Sequence, residues 1–169
     1  MISKSVIQKL MAAAVPFAMV LMIISSGMAD SKDTPETVMA TGKAASAEVN
    51  KLLIELKQQA GKADPAAKAE INLQVDGLMK IQALYDRMGR DRAFASQMLA
   101  LSLKKDNAGL GALWQQEIPG SKIQIREIKD FNAYVVYEVN GYLWEACVCS
   151  NACCGGTYAY HRMIGKAKT

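Results

Sequence analysis

All four cysteines of the chain fall within eight residues, in Cys147-Val148-Cys149-Ser150-Asn151-Ala152-Cys153-Cys154. Thiols this close can pair as disulfides, hold a soft metal ion as thiolates, or exchange with other thiols. Residues two apart on a strand share a face, so Cys147 and Cys149 are expected to present their sulfurs together. Ser150-Asn151-Ala152 can then reverse the chain and bring Cys153 and Cys154 back opposite them.

The disulfide reading allows three pairings. Cys153 with Cys154 is the poorest, because adjacent Cα atoms lie only about 3.8 Å apart, short of the usual disulfide span. A nested pattern, Cys147–Cys154 with Cys149–Cys153, suits a hairpin, and the crossed pattern, Cys147–Cys153 with Cys149–Cys154, remains an alternative. Loops this small gain little from chain closure, so such bonds would stiffen a local knuckle more than they would hold a domain together. The metal reading has soft sulfur donors suited to copper or zinc. Against it, structural zinc sites usually separate their two ligand pairs, whereas these four thiols crowd into one turn. A redox role lacks the C-x-x-C spacing. His161, the only histidine, is the one candidate base for a cysteine nucleophile, but one such pair makes no mechanism without a third group to orient the base. Gly155-Gly156 lacks the Gly-Lys-Ser/Thr ending of a phosphate loop, and backbone freedom beside a tight turn accounts for both glycines.

The elements that must position this segment change character near residue 120. Residues 30–116 are rich in Ala, Leu, Lys, Gln and Met, good helix formers. From Ile118 onward Ile, Val, Tyr and Trp take over, as strands prefer. Helices segregated from strands predict an α+β fold: about three helices in 35–116, then a three- to four-stranded antiparallel meander in 118–165, with helices on one face. Thr34 before Pro35 is a cap followed by proline at the first helical position, and Asp64-Pro65 repeats the signal. Gly61 and Gly89 are expected to close the first two helices. A third helix starts near Asp91 and breaks at Asn107-Ala108-Gly109, with a short helical turn after it carrying Leu110, Leu113 and Trp114.

In the sheet half, Asn140-Gly141 is the strongest hairpin signal, since both residues tolerate the positive φ of a type I′ turn. That turn sets Val139 opposite Tyr142 and Tyr137 opposite Trp144. Strands are expected at 122–128, 133–139, 142–149 and 157–164. Seven of the eleven aromatic residues lie between Phe131 and Tyr160. Tyr137, Tyr142, Trp144, Tyr158 and Tyr160 are therefore candidates for a contact surface, against the plainer reading of one packed sheet face.

The start of the chain carries an export pattern. Residues 1–29 contain no acid, with Lys4 and Lys9 ahead of an apolar run at 10–24 and Ser25-Ser26-Gly27-Met28-Ala29 behind it. Basic head, apolar core and small-x-small exit predict a signal peptide cut after Ala29. The core is shorter than the roughly 20 residues of a spanning helix, and Pro16 interrupts it. No cysteine near the cut supports a lipid anchor. The expected organisation is a signal peptide at 1–29, a flexible lead-in at 30–34 and a single α+β domain at 35–169. Loss of two leader lysines takes the net charge from +4 to +2. Without a Lys/Arg run, that excess gives no grip for nucleic acid.

These features predict an exported, periplasmic or secreted, non-enzymatic protein. It would be a binding or structural component of the cell envelope or secretome that meets another protein or envelope component, with no membrane span once the leader is removed and no cofactor. The alternatives are a periplasmic copper- or zinc-binding protein and a thiol–disulfide redox protein.

Overall fold

The computed structural model describes residues 33–129, 132–149 and 159–167. The expected signal peptide at 1–29, residues 30–32 of the expected lead-in, and Cys153, Cys154 and Tyr158 lie outside the described residues. Among the described residues, four helices precede a four-stranded sheet: α1 (Pro35–Ala60), α2 (Pro65–Arg90), α3 (Arg92–Leu103), α4 (Asn107–Glu117), then β1 (Lys122–Lys129), β2 (Asn132–Val139), β3 (Tyr142–Cys149) and β4 (Ala159–Lys166). The strands are all antiparallel, in the order β1-β2-β3-β4. The α+β segregation expected from composition is therefore the architecture, with a fourth helix where a turn was expected. Among the described residues, no helix is long and apolar enough to cross a membrane.

Side-chain caps account for each helix start. Thr34 closes a reciprocal capping box with Thr37 at the head of α1. Asp64 accepts from the amides of Ala66 and Ala67, each at 2.9 Å, and Asp91 accepts from Ala93 and Phe94 at 3.0 and 3.1 Å. These carboxylates satisfy amides that have no partner within the helix and sit at its positive end. The backbone amides, with Arg87, hold the Asp91 carboxyl below its ordinary range.

Two expected helix breaks need correction. Gly89 does not close α2, which continues to Arg90. Gly89 instead lies against α1, where a Cβ on the facing Gly42 would stand 2.6 Å from the Gly89 nitrogen. The two glycines let the helix backbones approach, and Ser46 bonds Asp86 across the same interface at 2.7 Å. Asn107-Ala108-Gly109 does not break the chain either. The break falls at Lys105, which takes a positive φ of 53°, and α4 starts at Asn107 under an Asp106 cap that accepts from the Gly109 amide at 2.8 Å. A Cβ at Gly109 would lie 2.4 Å from that carboxylate, so the glycine admits the cap.

The hairpin forms as the turn chemistry requires. Asn140 and Gly141 have φ of 52° and 79°, and Val139 pairs with Tyr142 and Tyr137 with Trp144. Asn140 also ties the turn to α2, donating to the Leu73 carbonyl at 3.1 Å and to Asp76 at 2.7 Å, while accepting from Lys80 at 3.1 Å. Helices and the inner sheet face share one core, with Leu78, Ile81, Tyr85, Trp114, Val135, Tyr137 and Ala146 each at 1% exposure or less.

The glycine contact between α1 and α2 can be tested against a neutral glycine. Gly42→Val should lower unfolding free energy by about 1–3 kcal/mol, the usual range for overpacking. Gly61→Ala should be neutral or stabilising by up to about 1 kcal/mol, because Gly61 has ordinary right-handed geometry and no Cβ contact closer than 3.5 Å. Urea unfolding midpoints of the two variants check the difference; equal midpoints would refute the close-approach reading.

Candidate functional site

β3 ends at Cys149 and β4 opens at Ala159, so Cys147 and Cys149 hold the last positions of β3. Cys147 pairs with Tyr134 of β2 and Tyr160 of β4. Its neighbours Ala146 and Val148 belong to the core, which places Cys147 on the face of the sheet away from the helices. It is 4% exposed there. Burial pushes its thiol above the ordinary value; a hydrogen bond with Tyr134 opposes that rise and the Glu145 charge adds to it. A thiol held protonated in this way is a poor nucleophile. Cys149 occupies the position opposite Asn132.

Ion pairs surround Cys147 on this outer face. Glu145 receives the Arg162 Nε at 2.7 Å and lies 3.7 Å from Arg126. Lys122 reaches Glu138 at 2.9 Å across β1 and β2. Exposed pairs of this kind contribute little stability, but they keep the uncovered sheet face charged.

His161 lies on the other face. It pairs with Ala146 in the ladder and points among the helices, its Nε2 3.0 Å from the Tyr85 hydroxyl. The expected alternative of His161 as base for a cysteine nucleophile is therefore corrected for Cys147, because the sheet separates the two side chains. Tyr85 in turn shares a 2.5 Å hydrogen bond with Tyr137. Trp114 stacks on Tyr137 at 6.0 Å with planes 4° apart and meets Tyr85 edge-on at 6.3 Å. Tyr85 also packs edge-on to His161 at 5.1 Å. Burial raises both tyrosine hydroxyls above their ordinary values. It also lowers His161 to about 4, with the Glu48 carboxylate pulling the other way. At neutral pH all three groups are uncharged, and they form a polar thread through the core.

The expected contact surface changes accordingly. Tyr137, Tyr142 and Trp144 are 0%, 5% and 3% exposed, so these three are core residues and do not present a surface. Tyr160 holds a β4 position opposite Cys147. The signal for burial lay in the alternation, since Tyr137 shares its face with Val135 and Val139, and Trp144 with Ala146 and Val148. Tyr85 and Trp114 were legible only as apolar helix positions. Nothing in their spacing shows that they meet His161 and Tyr137.

The thread makes two predictions. Tyr85 has two hydrogen-bond partners and Tyr137 one, so Tyr85→Phe should cost about 2 kcal/mol and Tyr137→Phe about 1 kcal/mol, since each stranded buried group adds its desolvation cost. Denaturant unfolding of both variants measures the order; a larger loss in Tyr137→Phe would contradict the thread. For pH, the folded His161 value near 4 lies below the unfolded value near 6.5. The unfolded chain therefore takes up the proton first. Stability is complete above about pH 6.5 and falls as pH drops toward 4, by about 3 kcal/mol in all. His161→Gln should flatten this part of the stability–pH curve, and an unchanged slope would assign the effect to other groups. No protein-family model, curated protein or solved structure matches this chain.

Proposed function

We propose that this is an exported, non-enzymatic binding or structural component of the cell envelope or secretome, which meets another protein or envelope component through the cysteine-bearing end of its sheet. The observation that carries this reading is the placement of Cys147 on the sheet face opposite the shared core. The helices and inner sheet face close over aliphatic and aromatic side chains, and the one cysteine whose side chain is described lies on the opposite face. Cys147 lies outside that core, on the strand that leads into the other three cysteines of the sequence. Disulfides are the default for an exported chain, and stapling the β3–β4 connection would preorganise it and lower the ordering cost of binding. The buried thread argues in the same direction, since its titratable groups are neutral and engaged with one another. The export signal remains the basis for a periplasmic or secreted location.

Intact mass of the natively exported protein, before and after reduction and alkylation, tests this reading. The expected result is a chain beginning at Asp30, four hydrogens light, that takes up alkylating reagent only after reduction. Alanine at all four cysteines should then leave the helical circular-dichroism spectrum intact while abolishing retention on the envelope fraction. Four freely alkylated thiols, or a native mass carrying copper or zinc, would replace the contact reading with a metal or redox centre.

A further inference from the structure

A half-open groove of about 340 Å³ lies between the far ends of the two long helices and the β2–β3 turn end of the sheet. It has a simple origin. Each 26-residue helix runs about 39 Å at 1.5 Å per residue, whereas an 8-residue strand runs only about 27 Å. The helices are therefore longer than the strands they pack against, and the turn end of the sheet meets α2 near Leu73 and Asp76. Leu52, Leu56 and Ile71 line the groove from the helices, and Trp144 and Met163 line it from β3 and β4. Cysteine-bearing Cys149 lies at the opposite end of β3.

Two polar groups distinguish this groove from a packing defect. Gln74 lines it, is only 9% exposed, and makes no hydrogen bond to any described residue. Its amide, which both donates and accepts, is open to a head group lying in the groove. Trp144 also lines it at 3% exposure, with an indole N–H that is buried and unpartnered. Met163 pairs with Trp144 in the sheet and is 46% exposed. Its unbranched thioether can swing aside, as methionine does at adaptable apolar sites. Gln59 and the carboxylate of Glu55 complete the lining.

We infer that this groove binds a small neutral amphiphile, an aliphatic chain with a hydroxyl or amide head, the chain lying on Leu52, Leu56 and Ile71 and the head on Gln74. The volume is at the lower end of the range for small-molecule sites, about 300–1,000 Å³. A head group that both donates and accepts matches the amide of Gln74. The Glu55 carboxylate disfavours an anionic head. The inference is independent of the proposed function, because Trp144 of the groove and Cys149 lie toward opposite ends of β3.

The neutral fluorophore N-phenyl-1-naphthylamine, titrated into the full exported protein and displaced by hexanol, octanol, decanol and decanoate, tests it. Fluorescence should rise saturably, and displacement should strengthen about three- to four-fold per added methylene, as expected for chain burial. Decanoate should be at least ten-fold weaker than decanol. Ile71→Trp, which fills the groove, should cut fluorophore affinity at least ten-fold with the helical spectrum retained; Leu56→Trp serves if that variant does not fold. Gln74→Leu should weaken decanol about five-fold, the size of one hydrogen bond, and leave the fluorophore within two-fold. Absence of saturable binding, or binding untouched by the groove-filling variant, overturns the site. Equal affinity for decanol and decanoate overturns the head-group assignment.

Discussion

Tyr137 touches every layer of the fold, and the burial of its ring and hydroxyl is the constraint on which the other elements depend. The ring pairs across the hairpin with Trp144 and stacks on Trp114 from α4. Its hydroxyl bonds Tyr85 from α2, which bonds His161 from β4. One side chain thus links three strands and two helices. Aromatic rings contribute large apolar area at low conformational cost, while the hydroxyl imposes a directional requirement that apolar packing lacks. A shift of α2 against the sheet would strand two buried polar groups at once. That penalty, more than the area itself, selects one arrangement of helices over the sheet.

The same requirement explains the protonation states inside the molecule. A charged imidazole or phenolate in this core would lose its hydration without gaining an opposite charge in contact. The thread therefore stays neutral, and the ion pairs lie on exposed helix surfaces and the outer sheet face. Glu145 with its two arginines, and Glu138 with Lys122, occupy the face that no described helix covers. The two sheet faces carry different chemistry because the helices pack on only one of them.

Close approach of backbone is the second organising device. Gly42 and Gly89 allow α1 and α2 to meet without intervening side chains, and Gly109 allows the Asp106 carboxylate to sit over the start of α4. Read along the chain, a glycine between helical stretches looks like a terminus. In the folded protein two of these glycines serve packing within helices, and the actual break falls at Lys105, whose positive φ no residue preference announces.

What the chain itself determined is everything governed by local chemistry. The caps at Thr34, Asp64 and Asp91, the Asn140-Gly141 turn and its strand register, and the change from helix formers to strand formers near residue 120 all follow from interactions among residues close in sequence. The clustering of cysteines at the end of β3 was equally plain. Tertiary structure alone decided which aromatic residues were core and which glycines were contacts. It also decided that His161 faces Tyr85 and not Cys147, because the partners lie 52 and 76 residues apart. Strand alternation states that neighbouring residues point to opposite faces; only the packing of helices on one of those faces states which is inside.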